Sequence, residues 1–218
     1  AGADGPLIQP GSGRIEDTQF RVSAGSELII AEANKASAAK PLLIFIGGNI
    51  TTVANAYLKD PSIADKIIVF HIGGYRLAST YNTTDKWSSY IAMKKLKYIA
   101  WEGDFTSWYH GKNVNVTQDM INSLPDNPLA NSIKGFWWQN AFPRESMADS
   151  PPALYFFNHS LWKNVQRVLE NDQVTTSDTY DYLRVSENDW LNFGPTFVNY
   201  MKDPANYVVG TPANTLPV

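Results

Sequence analysis

The sequence predicts an α/β fold built on a mostly parallel sheet flanked by helices. Three observations lead there. Short continuous apolar runs, "PLLIFI", "KIIVFHI" and "KYIAW", recur along the N-terminal half. The segments between them carry apolar residues at helical spacing, and the first two runs end in paired glycines. Strand, helix, strand, helix, strand in regular order means βαβ units.

The opening "AGADGPLIQPGSGRIEDTQ" is rich in Gly and Pro and reads as loop. In "SAGSELIIAEANKASAAK", Ser26 can cap a helix and Glu27 suits its first turn; Leu28, Ile29, Ala33 and Ala36 predict a helix near residues 26–39. "PLLIFI" then reads as a strand buried on both faces. After the Gly47–Gly48 turn, Ile50, Val53, Ala54, Tyr57 and Leu58 form one helical stripe, stopped by Asp60-Pro61. "KIIVFHIGG" supplies a second buried strand. In "DKWSSYIAMKKL", Trp87, Tyr90, Ile91 and Leu96 predict a helix facing inward, and "KYIAW" is a third strand.

Beyond residue 105 the character changes. "TQDMINSLP", "NPLANSIKGFWWQNAF" and "SPPALYFFNHSLWKNVQRVL" read as helices, with Thr117 and Ser150 as caps for the first and last. The tail from Val174 has weak periodicity. The expected organisation is one domain over 1–218, with a sheet portion at 1–105 and a helical and irregular portion at 106–218.

Composition narrows the function classes. At 218 residues and 44% hydrophobic, the chain can bury a core, and its net charge of -3 advertises no nucleic-acid surface. No apolar run approaches the roughly 20 residues of a membrane helix. No cysteine is present, which excludes disulfides, zinc-thiolate sites and cysteine nucleophiles. The sequons at Asn49, Asn82, Asn115 and Asn158 permit glycosylation, although an Asn- and Thr-rich sequence produces them by chance as readily. The first residue is Ala rather than Met, so removal of a signal peptide, a propeptide or a larger piece is expected.

Ligands of parallel α/β sheets sit beyond the carboxyl ends of the strands, which puts the loops at Gly47–Asn49 and 73–82 on the functional edge. A strand ending in Gly-Gly lets a ligand approach backbone closely, but most such turns are ordinary connections. No Lys-Ser/Thr follows, so this is not a phosphate loop. In "STYNTTDKW", Asn82 offers donors and an acceptor suited to sugar hydroxyls, and Asp85 suits an N-cap better than a ligand role. Asp149, in "ESMADSPPALYFF", precedes an apolar helix and is either a cap or a ligand for a hard cation. His71 lies inside a strand and reads as a hydrogen-bonded core histidine. His110, in the loop "WYHGKN", could reach a leaving group, while His159 has no evident partner and no Ser-His-Asp arrangement exists. Trp87, Trp101, Trp108, Trp137 and Trp138 could stack on a ring, though such residues are more often core. Adjacent tryptophans on one helix cannot both face one core, so Trp137 or Trp138 belongs near a pocket or interface.

Four segments, in order, resemble the inosine-uridine nucleoside hydrolase superfamily, most closely its divergent nucleoside hydrolase-like branch. "AGADGPL" is similar to "V-x-A-G-x-x-x-P-L". "IGGNITTVANAYLKDPSIADKIIVFHIGG" is similar, nearly without gaps, to the block running from "x-G-P-L-T-N-x-A" to "M-G-G". "TYNTTDKWSSYIAM" resembles "E-F-N…D-P-x-A-A", and "MADSPPALYFF" resembles the late "H-D-P" or "G-D-S-P" segment. The likeness spans residues 1–160 and implies a Rossmann-like sheet.

The resemblance further implies a calcium-dependent N-ribosyl hydrolase acting on a small nucleoside or sugar. Calcium would bind ribose hydroxyls and a water, and an aspartate would deprotonate that water as the N-glycosidic bond breaks. Carried over by position, Asp149 and the Gly47 carbonyl would be calcium ligands. Asn82 would bind ribose, Asn49 would sit at the pocket rim, Trp138 would contact substrate, and His110 is the candidate acid.

The family's aspartate cluster "D-x-D-x-x-x-D-D", source of most calcium carboxylates and of the base, has no counterpart here. The glutamate of "E-F-N" is Thr80, the histidine before the late aspartate is Ala148, and the proline of "G-P-L-T-N" is Asn49. The first strand of the fold and the base are therefore expected on an N-terminal companion fragment of the same precursor. The alternative is a catalytically inactive relative, acting as a secreted self-assembling or carbohydrate-binding protein. Both readings expect a homo-oligomer in an extracellular or periplasmic setting, without nucleic-acid or membrane partners.

Overall fold

A computed structural model describes residues 5–72, 85–101, 118–139, 165–171 and 179–185, with 198, 199 and 202. The chain divides into two compact units, Ala1–Trp101 with Gln166–Arg184 and Pro217–Val218, and Glu102–Val165 with Val185–Leu216.

The first unit is α/β. Strands β1 (Leu42–Ile46), β2 (Ile67–Ile72) and β3 (Lys97–Trp101) run parallel, with Leu42 opposite Ile67, Ile46 opposite His71 and Val69 opposite Tyr98. Two later strands, β4 (Val165–Asn171) and β5 (Thr179–Val185), extend the sheet in the order β1-β2-β3-β5-β4. Parallel neighbours require crossover helices: α2 (Thr51–Lys59) joins β1 to β2 and α3 (Lys86–Lys95) joins β2 to β3, while α1 (Ala24–Ala33) precedes β1. One core joins Leu42, Ile44 and Ile46 of β1, Ile67 and Val69 of β2 and Tyr98 of β3 to Ile29, Ile30 and Ala33 of α1, Val53 and Ala56 of α2, and Ala92 and Met93 of α3.

The N-terminal segment is fixed to this layer by apolar packing and polar ties. Leu7 and Ile15 pack with Ala54, Trp87, Tyr90 and Ile91. Trp87 is buried, stacks on Tyr90 at 5.0 Å between centroids, and donates its Nε1–H to Thr18 Oγ1 at 2.9 Å. Fully buried Asn55 of α2 accepts from the Arg21 N–H at 2.6 Å and donates Nδ2–H to the Arg21 carbonyl and to Ser26 Oγ. A buried amide satisfied on both ends docks an irregular segment without orphaning its backbone groups.

Three expectations are corrected. Helix α1 runs Ala24–Ala33 rather than 26–39: Ser23 is its N-cap, accepting from the Ser26 N–H, and a turn and an isolated bridge between Ser37 and Lys40 follow the helix. Leu28, counted into its apolar stripe, is exposed. Strand β1 is not buried on both faces: it stands at the sheet's edge, every residue is at most partly buried, and Phe45 is 45% exposed. Finally, "VQRVL", read as the end of a helix, belongs to strand β4, which runs Val165–Asn171. Helix α2 and its stop at Asp60, helix α3 and the first three strands lie where the sequence places them.

In the second unit, α4 (Gln118–Asn122) and α5 (Pro128–Gln139) are described. Asn127 Oδ1 accepts from the Ala130 N–H at 2.9 Å, capping α5 ahead of Pro128, and Ile121, Leu124 and Ala130 are buried. The caps expected at Thr117 and Ser150 lie outside the described residues. No helix among the described residues is long and apolar enough to cross a membrane.

Candidate functional site

The site begins where β1 gives way to α2. Ladder pairing of β1 with β2 ends at Ile46 opposite His71. The helix then starts at Thr51, and the Ile50 carbonyl accepts from the Val53 and Ala54 N–H groups at 3.0 and 3.1 Å. Gly47–Asn49 thus spans the gap between ladder and helix, where neither supplies regular hydrogen bonds. Gly47 and Asn49 are exposed, and Gly48 is partly buried. A Cβ built on Gly48 would meet nothing within 4 Å, so there is open space at that position of the turn among the described residues.

Two buried side chains hold the turn's surroundings. The first is His71, fully buried at the end of β2. Its Nε2 lies 2.7 Å from the Gly48 carbonyl oxygen, and its Nδ1 lies 2.8 Å from the Tyr98 hydroxyl. A carbonyl can only accept, so Nε2 carries the hydrogen, and Nδ1 is left to accept from the Tyr98 O–H. Burial pushes the His71 pKa down to about 4, partly opposed by the bond to Gly48, so the imidazole is neutral at physiological pH.

The second is Asp85, the N-cap of α3, which is buried. Its carboxylate accepts from the Ser88 N–H at 3.1 Å, Ser88 Oγ at 2.6 Å, the Leu7 N–H at 3.4 Å and the Thr51 hydroxyl. This one side chain caps α3, pins the N-terminal segment, and holds the first turn of α2. With those bonds made, both oxygens are occupied, in agreement with the capping role expected of it.

Of the residues assigned by resemblance, Gly47 and Asn49 stand together on the β1–α2 connection, at the carboxyl ends of parallel strands. Asp149, Asn82 and His110 lie outside the described residues. Trp138 is on α5, and its side chain lies outside them too. Among the described residues no three His, Asp or Glu side chains gather as a metal cluster. Calcium takes about 6–8 oxygens. The donors at the turn fit that ion in kind, being oxygens, and fall short in number, because the Gly48 carbonyl accepts from His71 and Asp85 is occupied.

Sequence reasoning read His71 as a hydrogen-bonded core histidine, which it is, but did not name Gly48 and Tyr98 as its partners. Their signal was present: a lone polar residue in an apolar strand, two positions before paired glycines, and a tyrosine in the following strand.

No protein-family model matches the sequence, and neither does any curated protein sequence. Solved structures do match. An inosine-uridine preferring nucleoside hydrolase from Bacillus anthracis superposes with a TM-score of 0.52 at 18% identity, over 86% of this chain and 67% of that one. A plant nucleoside hydrolase superposes with a TM-score of 0.52 at 12% identity, over 90% of this chain and 73% of its own. At such identities the likeness speaks for architecture alone, and it agrees with the parallel sheet and flanking helices described above. The chain has a nucleoside hydrolase-like α/β fold.

Proposed function

We propose that this chain forms the substrate-side portion of a calcium-dependent N-ribosyl hydrolase, completed by a companion polypeptide that brings the aspartates its sequence lacks. The observation that carries this reading is the open Gly47–Gly48 turn at the carboxyl ends of β1 and β2, within a nucleoside hydrolase-like fold. Asp149 and the Gly47 carbonyl would be this chain's calcium ligands, with carboxylates from the companion completing the shell. When bound, the ion supplies an acidified water and a grip on ribose hydroxyls. Asn82 hydrogen-bonds the sugar, Asn49 lines the rim, Trp138 stacks on the leaving group, and His110 protonates it.

The edge position of β1 supports a companion. Five consecutive large apolar residues suit a strand covered on both faces, yet every residue of β1 is at most partly buried and it has one strand neighbour in the described sheet. A strand added beside it in parallel would end next to Gly47. An extracellular or periplasmic homo-oligomer is consistent with this arrangement.

The test is ribose release from p-nitrophenyl riboside by natural material purified without chelators, with calcium saturating. Release that disappears with chelator is expected. Asp149→Ala is expected to abolish calcium binding while leaving the circular dichroism spectrum unchanged. Riboside binding without release, with any companion retained, would overturn the hydrolase reading in favour of a carbohydrate-binding relative.

A further inference from the structure

We infer that His71 is a positioning residue for the Gly47–Asn49 turn: its Nε2–H fixes the Gly48 carbonyl, while the Tyr98 hydroxyl partners Nδ1 and holds the ring in place. The backbone accounting is the reason. The β1–β2 register stops at Ile46, and the helix carbonyls that accept regular bonds begin at Ile50. The Gly48 carbonyl falls between these two systems and is partly buried, so a donor must come from elsewhere. His71 supplies it at 2.7 Å, from the strand next to the turn.

The choice of histidine is otherwise costly. Position 71 is the one polar side chain in "IIVFHI", and an aliphatic residue there would continue the core. A fully buried imidazole needs partners at both nitrogens, and it has them. The Gly48 carbonyl, able only to accept, keeps the hydrogen on Nε2, and the buried Tyr98 hydroxyl, able to donate or accept, satisfies Nδ1 by donating to it. The two rings meet edge-on at 88°, with centroids 5.8 Å apart, so neither turns easily. Fixing the Gly48 carbonyl fixes the one peptide plane it belongs to, Gly48–Asn49, and so removes that freedom from the turn next to the plane carrying the Gly47 oxygen. The turn needs this because Gly47 and Gly48 are the most conformationally free pair available.

What the fixed turn binds rests on the proposed function; the fixation itself does not. Two measurements separate them. The first is independent of ligand: amide exchange across residues 48–52, with nitrogen NMR of the His71 ring. The wild type is expected to show hydrogen on Nε2 and slow exchange. Tyr98→Phe is expected to leave the hydrogen on Nε2, because the Gly48 carbonyl still accepts it, and His71→Leu to speed exchange at least about tenfold. His71→Gln keeps an amide donor at the reach of Nε2 and is expected to restore much of the protection. Unchanged exchange in His71→Leu, or a hydrogen on Nδ1 in the wild type, would overturn the inference. If His71→Leu fails to fold, His71→Asn carries the test alone: its shorter amide matches Nδ1 rather than Nε2, so exchange across residues 48–52 as slow as in wild type overturns the inference.

The second measurement uses calcium alone as probe, by titration calorimetry on the natural material. Residues that orient a ligating group typically change metal affinity by about 10–100-fold, so His71→Leu is expected to weaken calcium by that factor and His71→Gln by less. Equal affinity in wild type and His71→Leu would overturn the positioning role. No calcium binding by the wild type would sink the proposed function instead, leaving the exchange and tautomer results to decide the role of His71.

Discussion

Strands β1 and β2 are close to interchangeable as sequence, "LLIFI" against "IIVFHI", and the fold treats them differently. Ile67, Val69, Phe70 and His71 are all buried to the last per cent, whereas no residue of β1 is fully buried. Apolar content says that a strand wants cover on each face. It does not say that the same stretch of chain provides it. The difference also falls at the candidate site, because β1 leads into the Gly47–Asn49 turn and His71 of β2 bonds the Gly48 carbonyl.

The largest expected effect tests that asymmetry directly. Phe45 and Phe70 are register partners with rings 5.9 Å apart, one 45% exposed and the other fully buried. Phe70→Ala should destabilise the protein by about 3–5 kcal/mol, since it removes transfer energy and leaves a cavity. Phe45→Ala should cost about 1 kcal/mol, because half of its surface already meets water. Urea midpoints at unchanged slope would read both. Equal losses would mean that the edge of β1 is covered in solution, and a loss at Phe45 that appears only when a companion is present would identify what covers it.

Next comes pH, where β2 differs from β1 through His71 and its aliphatic register partner Ile46. Above about pH 6.5 the imidazole is neutral in both folded and unfolded chains, so it contributes no slope. Between there and its folded pKa of about 4 the unfolded chain binds a proton that the folded chain refuses. Stability therefore falls as pH drops, by about 3 kcal/mol across that window. His71→Gln should remove this component, visible as a flatter difference curve against wild type from pH 6.5 to 4. Parallel curves would show that the histidine is already charged in the folded state.

A smaller loss, about 2 kcal/mol, is expected for Asp85→Ala, which deletes an N-cap and leaves the Leu7 N–H without its acceptor. Its particular signature is location: faster exchange both at the start of α3 and in the N-terminal segment. Faster exchange at α3 alone would reduce Asp85 to a simple cap.

Much of this architecture was legible in the sequence. Helices α2 and α3 were readable because stripe and cap agree: Val53 and Ala54 bury where the pattern says, and Asp60 and Asp85 stop and start helices by known side-chain geometry. The start of α1 was displaced because "SAGSE" offers two serines three residues apart, and the earlier one caps while Ser26 turns inward to Asn55. Strand β4 was misread because Val165, Val168 and Leu169 fit a helical stripe as well as a strand, and only pairing in the sheet decides between them. The candidate turn at Gly47–Asn49 was picked out in the sequence by its paired glycines and by family resemblance. Its bracing was not, because the link from His71 to Gly48 and Tyr98 depends on register between strands distant in sequence.

The smallest effect on stability is expected at Gly48, and it separates the turn's structural duty from its functional one. No positive φ is required there, and a Cβ would stand in open space. Gly48→Ala should therefore change stability by less than about 1 kcal/mol, and could raise it by restricting the unfolded chain. The same methyl group would occupy the approach to the turn, so riboside or calcium binding should fall while the urea midpoint holds. Loss of both together would mean that Gly48 serves the packing of β1 against β2, and the distinction drawn between a braced interior strand and an open functional edge would fail at the point where the two meet.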